Sequence, residues 1–201
     1  MSRSVDLVVI GGSAGAIEVL HQVLGRLPAT FGPATAIVIH VPAEGPHLLT
    51  EIFTTQGDLT VKLAEDKEPI VGGTIYFATP DYHLLIEKGR TFALSLDERV
   101  HYSRPAIDVL FESAAEAYGD RVLGVILSGA NADGAAGLKA IAAAGGITAV
   151  QALESAEMIA MPAAALEAVP QSIEVDVASL SELLRAHGEV AEKKMDAENG
   201  R

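Results

Sequence analysis

The chain contains no cysteine and no tryptophan, and aromatic residues make up only 4% of its 201 residues. Without cysteine there are no disulfides, thiolate metal ligands or thiol nucleophiles, a composition that suits a reducing compartment. With so few aromatics, the core has to be built mainly from Ala, Val, Leu and Ile. Basic residues are scarce too: 14 Lys and Arg stand against 27 Asp and Glu, a formal net charge of -13. Phosphate backbones are bound by clustered Lys and Arg, so nucleic acid is not an expected partner. No apolar run approaches the roughly 18 residues of a membrane-spanning helix. The opening MSRSVDLVVI has no apolar h-region and no small-residue cleavage site. The chain therefore reads as a soluble cytoplasmic protein, not inserted in a membrane.

What is present is an alternation of strands and helices. Leu7–Ile10, Ala34–Ile39 and Val122–Leu127 are short continuous apolar runs, the mark of strands buried on both faces. Apolar residues at helical spacing follow the first run (Ile17, Leu20, Leu24, Leu27), with Pro28 closing the element. Pro46 predicts another helix, with the stripe Leu48, Leu49, Ile52 and Phe53. Between Leu59 and Leu96, short segments such as Thr74–Ala78, Tyr82–Ile86 and Phe92–Leu96 are punctuated by Gly72-Gly73, Pro80-Asp81 and Lys88-Gly89-Arg90. That pattern predicts an inserted antiparallel hairpin region. Helical spacing returns at Ile107, Leu110, Phe111 and Ala114, and an Ala-rich helix follows Gly134. The expected fold is α/β: a doubly wound, mostly parallel sheet with helices on both faces. Residues 1–187 read as one domain, and the charged stretch 188–201, which lacks an apolar stripe, as a fraying tail.

In such a sheet, ligands bind outside the carboxyl ends of the strands. Three loops at that edge carry reactive groups: Ser13 after the first strand, His40 ending the second, and Asp133 after Val122–Leu127. A hydroxyl, an imidazole and a carboxylate are the set needed for nucleophilic acyl transfer. Gly11-x-Ser13-x-Gly15 matches a nucleophile-elbow pattern, with Gly11 and Gly12 expected to keep the turn tight. It is not a dinucleotide fingerprint, since Ile10 stands where the first glycine is needed, and no Gly-Lys-Ser/Thr makes it a phosphate loop. Each group also has a plainer reading. His40 suits a structural role at a strand end, and Asp133 suits the N-cap of its own helix. The chain order Ser–His–Asp differs from the Ser–Asp–His order of α/β-hydrolases.

The segments IGGSAGAIEVL, IHVPAEGPHLLTEIF, IYFATPDYHLL, YSRPAIDVLFES, GVILSGANADGAAGLKAI and EMIAMPAAALE occur together in this order. In order and spacing the chain resembles the catalytic domain of CheB-type chemoreceptor methylesterases over about residues 5–185. The resemblance implies hydrolysis of glutamate γ-methyl esters on the cytoplasmic helices of methylated chemoreceptors, and deamidation of receptor glutamines. It implies Ser13 as nucleophile, His40 as general base and Asp133 as its orienting partner, with no metal or organic cofactor. The N–H groups of Ala14 and Ala130 are candidates for an oxyanion hole. Two departures stand out: Ser13-Ala14-Gly15-Ala16 replaces the family's Ser-Thr-Gly-Gly, and Gly129-Ala130-Asn131 replaces Gly-Met-Gly. Few residues precede the first strand, so a receiver domain is not expected, and control would fall to a separate regulatory protein or be absent.

Among the remaining residues, His83 is a candidate for the substrate site or for a structural hydrogen bond. Arg104 is a candidate contact for anionic neighbours of the ester or a solvated surface residue, and Arg99 adds local positive charge. His21, His47, His101 and His187 read as surface residues, and no spacing suggests a metal site. The rival functions are a catalytically weak binding module of a chemosensory complex and a generic small-ester hydrolase.

Overall fold

The structure, a computed structural model, describes residues 5–40, Phe53 and 59–188. Seven strands form one sheet: β1 (Leu7–Gly12), β2 (Ala34–Ile39), β3 (Thr60–Leu63), β4 (Thr74–Phe77), β7 (Val122–Ile126), β8 (Ile147–Gln151) and β9 (Ile173–Val175). Their order is β3-β4-β2-β1-β7-β8-β9, and every neighbouring pair is parallel. Strands β5 (His83–Ile86) and β6 (Phe92–Ser95) form a separate antiparallel hairpin. The described helices are α1 (Ala16–Leu24), α2 (Ile107–Tyr118), α3 (Ala135–Ala143), α4 (Ala160–Ala168) and α5 (Val177–Gly188).

The doubly wound sheet is therefore as expected, with one correction to its extent. Thr74–Ala78 was expected in the antiparallel region, but β4 lies in the main sheet, parallel between β2 and β3. All four of its residues are buried, which marks an interior strand covered on both faces. The turn residues around it end a sheet strand rather than close a hairpin. The helix expected after Pro46 lies outside the described residues except for Phe53, which is helical, buried and stacked on Phe77 at 5.2 Å. His47 and the tail from residue 189 also lie outside them.

Alternation along β1 sets the two layers. Leu7 and Val9 face a cluster with Ile107, Leu110 and Phe111 of α2 and Leu138 and Ile141 of α3. Val8 and Ile10 face a second cluster with Val19, Leu20 and Val23 of α1 and Leu180 and Leu184 of α5. The core is aliphatic, as the composition requires.

The chain builds outward from β1 through β2 and β4, then returns to add β7 on β1's other side. The carboxyl ends of β1 and β7 thus flank the topological switch point, where such sheets form a crevice. Gly11 and Gly12 are the last residues of β1, not part of the turn. Glycine is needed there for close approach: a Cβ on Gly11 would overlap the Ile107 side chain, and one on Gly12 would lie 2.5 Å from Cβ of Ala16. Gly11→Ala should therefore lower stability by about 1–3 kcal/mol in urea melts. Adding Ile107→Ala should recover part of that loss, so the double variant is more stable than the sum of the single effects.

Candidate active site

At the carboxyl edge the loops are tied to one another. Ser13 N–H donates to Ser128 O (2.9 Å), and His40 N–H donates to Gly12 O (3.0 Å). The buried Ser128 hydroxyl donates to Ala14 O at 2.7 Å and accepts from Met158 N–H at 2.9 Å. Gln151, buried at the end of β8, accepts from Ser128 N–H through Oε1 at 2.8 Å. The loop after β1 is thus fastened to the loop after β7 and to residues before α4. Gly15 then starts α1 in a left-handed conformation (φ 79), with Glu157 where a side chain would go.

Asp133 is fully buried and does not cap its own helix. Its Oδ2 accepts from Ile107 N–H at 2.7 Å and its Oδ1 from Asp108 N–H at 2.9 Å, which satisfies the first amides of α2. The same Oδ2 lies 2.9 Å from Nε2 of His40. The approach is close but off-axis, since Nε2 makes no well-directed hydrogen bond among the described residues. Catalytic hydrogen bonds are often loose before substrate arrives. Burial by itself pushes the Asp133 carboxyl up, but the His40 contact and the two amides together hold it below the usual value. Asn131 supports the loop by accepting from Asp133 N–H at 3.1 Å.

The Ser13 hydroxyl, partly buried, donates to the His40 carbonyl oxygen at 3.5 Å. Nε2 is turned to Asp133, and among the described residues no hydrogen bond joins the Ser13 hydroxyl to the His40 ring. Ala14 and Ala130 are exposed, and among the described residues neither of their N–H groups is hydrogen-bonded. A cavity of about 240 Å³ opens beside His40, with Asp81, Arg99, Tyr102 and Arg104 on its walls. Arg104 donates through Nη1 to Leu96 O (2.9 Å) and Asp97 O (3.0 Å) and pairs with no carboxylate among the described residues. His83 is buried elsewhere, accepting from Ala106 N–H through Nδ1 and meeting Glu98 O through Nε2. Both its nitrogens bind backbone, and it pins the hairpin to the segment before α2.

His101 is exposed, as its sequence reading has it, and its ring also lies 3.1 Å from the buried Asp108. Ligand-type atoms of His101, Asp108 and Asp133 fall within 4.8 Å of one another. Three of the four carboxylate oxygens accept backbone amides, and the fourth faces His101. The cluster is therefore a hydrogen-bonded network. Asp108, Ser128 and Gln151 were missed by sequence reasoning because apolar or small neighbours surround them. The one available signal was an acidic residue in the first turn of α2.

A parallel sheet with a hydroxyl, an imidazole and a buried carboxylate at its switch point has the layout of a serine-type hydrolase domain. More specifically, residues 8–184 match the family model for CheB methylesterase, and the chain belongs to that family. A Leptospira interrogans protein described as a candidate protein-glutamate methylesterase/protein-glutamine glutaminase is 45% identical over 178 residues, 89% of this chain and 92% of the relative. The protein-glutamate methylesterase/protein-glutamine glutaminase of Chromohalobacter salexigens is 37% identical over 90% of this chain, which spans 51% of that longer relative. The crystal structure of the Thermotoga maritima CheB methylesterase catalytic domain superimposes with a TM-score of 0.86 at 29% identity, covering 92% of this chain and 99% of that one.

The depressed Asp133 carboxyl has a consequence for stability. A carboxyl held low in the folded state adds stability above its unfolded pKa and loses it as pH falls through the folded value. Asp133→Asn should therefore be less stable than wild type by about 1–3 kcal/mol at neutral pH. In urea melts the gap should narrow as pH drops below the ordinary carboxylate value of about 3.9.

Proposed function

We propose that the chain is a cytoplasmic protein-glutamate methylesterase that removes γ-methyl esters from glutamates on chemoreceptor helices. Ser13, His40 and Asp133 are its triad. The observation that carries this reading is the 2.9 Å His40–Asp133 contact beside Ser13 at the switch point of a CheB-family sheet. Ser13 Oγ attacks the ester carbonyl carbon while its proton passes to Nδ1 of His40. The oxyanion is received by the N–H groups of Ala14 and Ala130. Collapse breaks the bond to the methoxy oxygen, which leaves as methanol with the proton from His40. Water, deprotonated by His40, then attacks the acyl-serine and releases glutamate and the Ser13 hydroxyl. Glutamine follows the same path with ammonia as the leaving group. Asp133 stabilises the imidazolium throughout.

Substitution of Thr by Ala14 removes a hydroxyl beside the nucleophile but leaves the backbone donor in place. The same holds at Ala130, where the family's methionine is absent. Arg104, on the cavity wall and paired with no carboxylate among the described residues, meets the carboxylates that flank the ester on an acidic receptor helix, and Arg99, 3.8 Å from Asp81, assists. This local charge offsets an overall charge of -13 that would otherwise repel such a substrate.

With methyl-labelled receptor membranes, Ser13→Ala should reduce methanol release by about a thousandfold or more. Equal release by wild type and Ser13→Ala would exclude the triad. Stable receptor binding without any release would favour the binding module, and release from simple esters alone would favour the generic hydrolase. Arg104→Gln should raise KM for receptor about tenfold with kcat nearly unchanged, and the difference should shrink at high salt.

A further inference from the structure

Helices α2 and α3 begin face to face, and neither is capped by a side chain of its own N-cap residue. Each takes its cap from the other's segment. Asp133, before α3, binds the first amides of α2. Asp108, in the first turn of α2, binds the start of α3 through Oδ1, accepting from Gly134 N–H at 2.9 Å and Gly137 N–H at 2.8 Å. Gly134 directly follows Asp133, so Asp108 holds the backbone on which the Asp133 side chain is mounted.

The other oxygen of Asp108 faces His101. His101 and Tyr102 are the two central residues of a tight turn closed by Val100 and Ser103, with φ values of 49 and 62. Consecutive left-handed residues that are neither glycine nor asparagine are costly, and such strain persists where surrounding structure enforces it. Here it delivers an imidazole to a buried carboxylate. Two His–Asp pairs, His40–Asp133 and His101–Asp108, are thereby joined back to back through the crossed caps.

We propose that Asp108 is a positioning residue of the reaction centre: it fixes Asp133 through the loop it holds, and its charge adds to the field at His40. This rests on the triad reading above. The groups facing Asp108 are Asp133 from the β7 loop, His101 from the turn and Glu112 one turn along α2. Those around His40 are Asp133 and, along the cavity, Asp81, Arg99, Tyr102 and Arg104.

Asp108→Asn keeps a carbonyl to accept the Gly134 and Gly137 amides while removing the charge. His101→Asn suits the left-handed turn while removing the imidazole. In each protein the His40 ring is titrated by NMR, its signal assigned through its loss in His40→Gln, and kcat and KM are followed against pH. Asp108→Asn should lower the His40 midpoint and the acid limb of kcat/KM by about 0.5–1 pH unit, because a neighbouring negative charge is gone. It should also reduce kcat several-fold more than it changes KM. His101→Asn, which removes the imidazole facing Oδ2 of Asp108, should also move the midpoint and reduce kcat more than it changes KM.

If both variants fold and the midpoint stays where it is, with only urea stability altered, Asp108 is a helix cap and the proposal is overturned. Should Asp108→Asn fail to fold, His101→Asn at its half-exposed position decides alone. The NMR midpoint needs no turnover, so a wild type inactive on every ester would defeat the methylesterase reading and leave this test standing.

Discussion

The site depends on an exchange of caps between two helices that start against each other. Buried amides at a helix start must find acceptors. Here Asp133 and Asp108 supply them across the α2–α3 interface rather than locally. Bringing two carboxylates so close into the interior is unfavourable unless each is surrounded by donors. Their different surroundings push them apart. Asp133, with His40 and two amides, is held low despite burial, while burial and the charge of Asp133 push Asp108 up. Asp133 is thereby kept ionised beside His40, while the Gly137 and Gly134 amides and His101 oppose the upward push on Asp108.

The same economy of contacts fixes the loop that carries Ser13. Ser13 sits on a strand end packed so closely against α1 and α2 that only glycine fits at the two preceding positions. Beyond it, the buried Ser128 hydroxyl fastens Ala14 to the segment before α4. Ser13 is held through its backbone and the His40 ring lies against a buried acid, so the hydroxyl and the ring are the parts left to adjust. The cavity beside His40 holds Arg104 and Arg99, the latter 3.8 Å from the carboxylate of Asp81.

Much of this was legible from residue patterns. Continuous apolar runs marked β1, β2 and β7 as interior parallel strands, and the winding rule put Ser13, His40 and Asp133 on one edge of the sheet. The antiparallel region was drawn too wide, because the glycine and proline punctuation around β4 looks the same whether a strand ends in a hairpin or in a crossover. His101 is exposed, as read from sequence, but nothing in its local sequence announces its contact with a carboxylate seven residues on. Gly11 and Gly12 were rightly singled out for the wrong reason: they meet helices from elsewhere in the chain, which a turn argument does not foresee.

Local order along the chain was thus enough for element type, the winding of the sheet and the edge on which chemistry is placed, since these follow from periodicity of burial and from chirality. Which group each polar side chain meets is a different matter. Asp133 before a Gly-Ala-Ala helix start has the signature of a cap for that helix, and only the packing of α2 against α3 turned it to the neighbouring helix and to His40. Hydrogen bonds between residues about 25 positions apart depend on where whole elements come to rest. No window of sequence short enough to read by pattern contains that information.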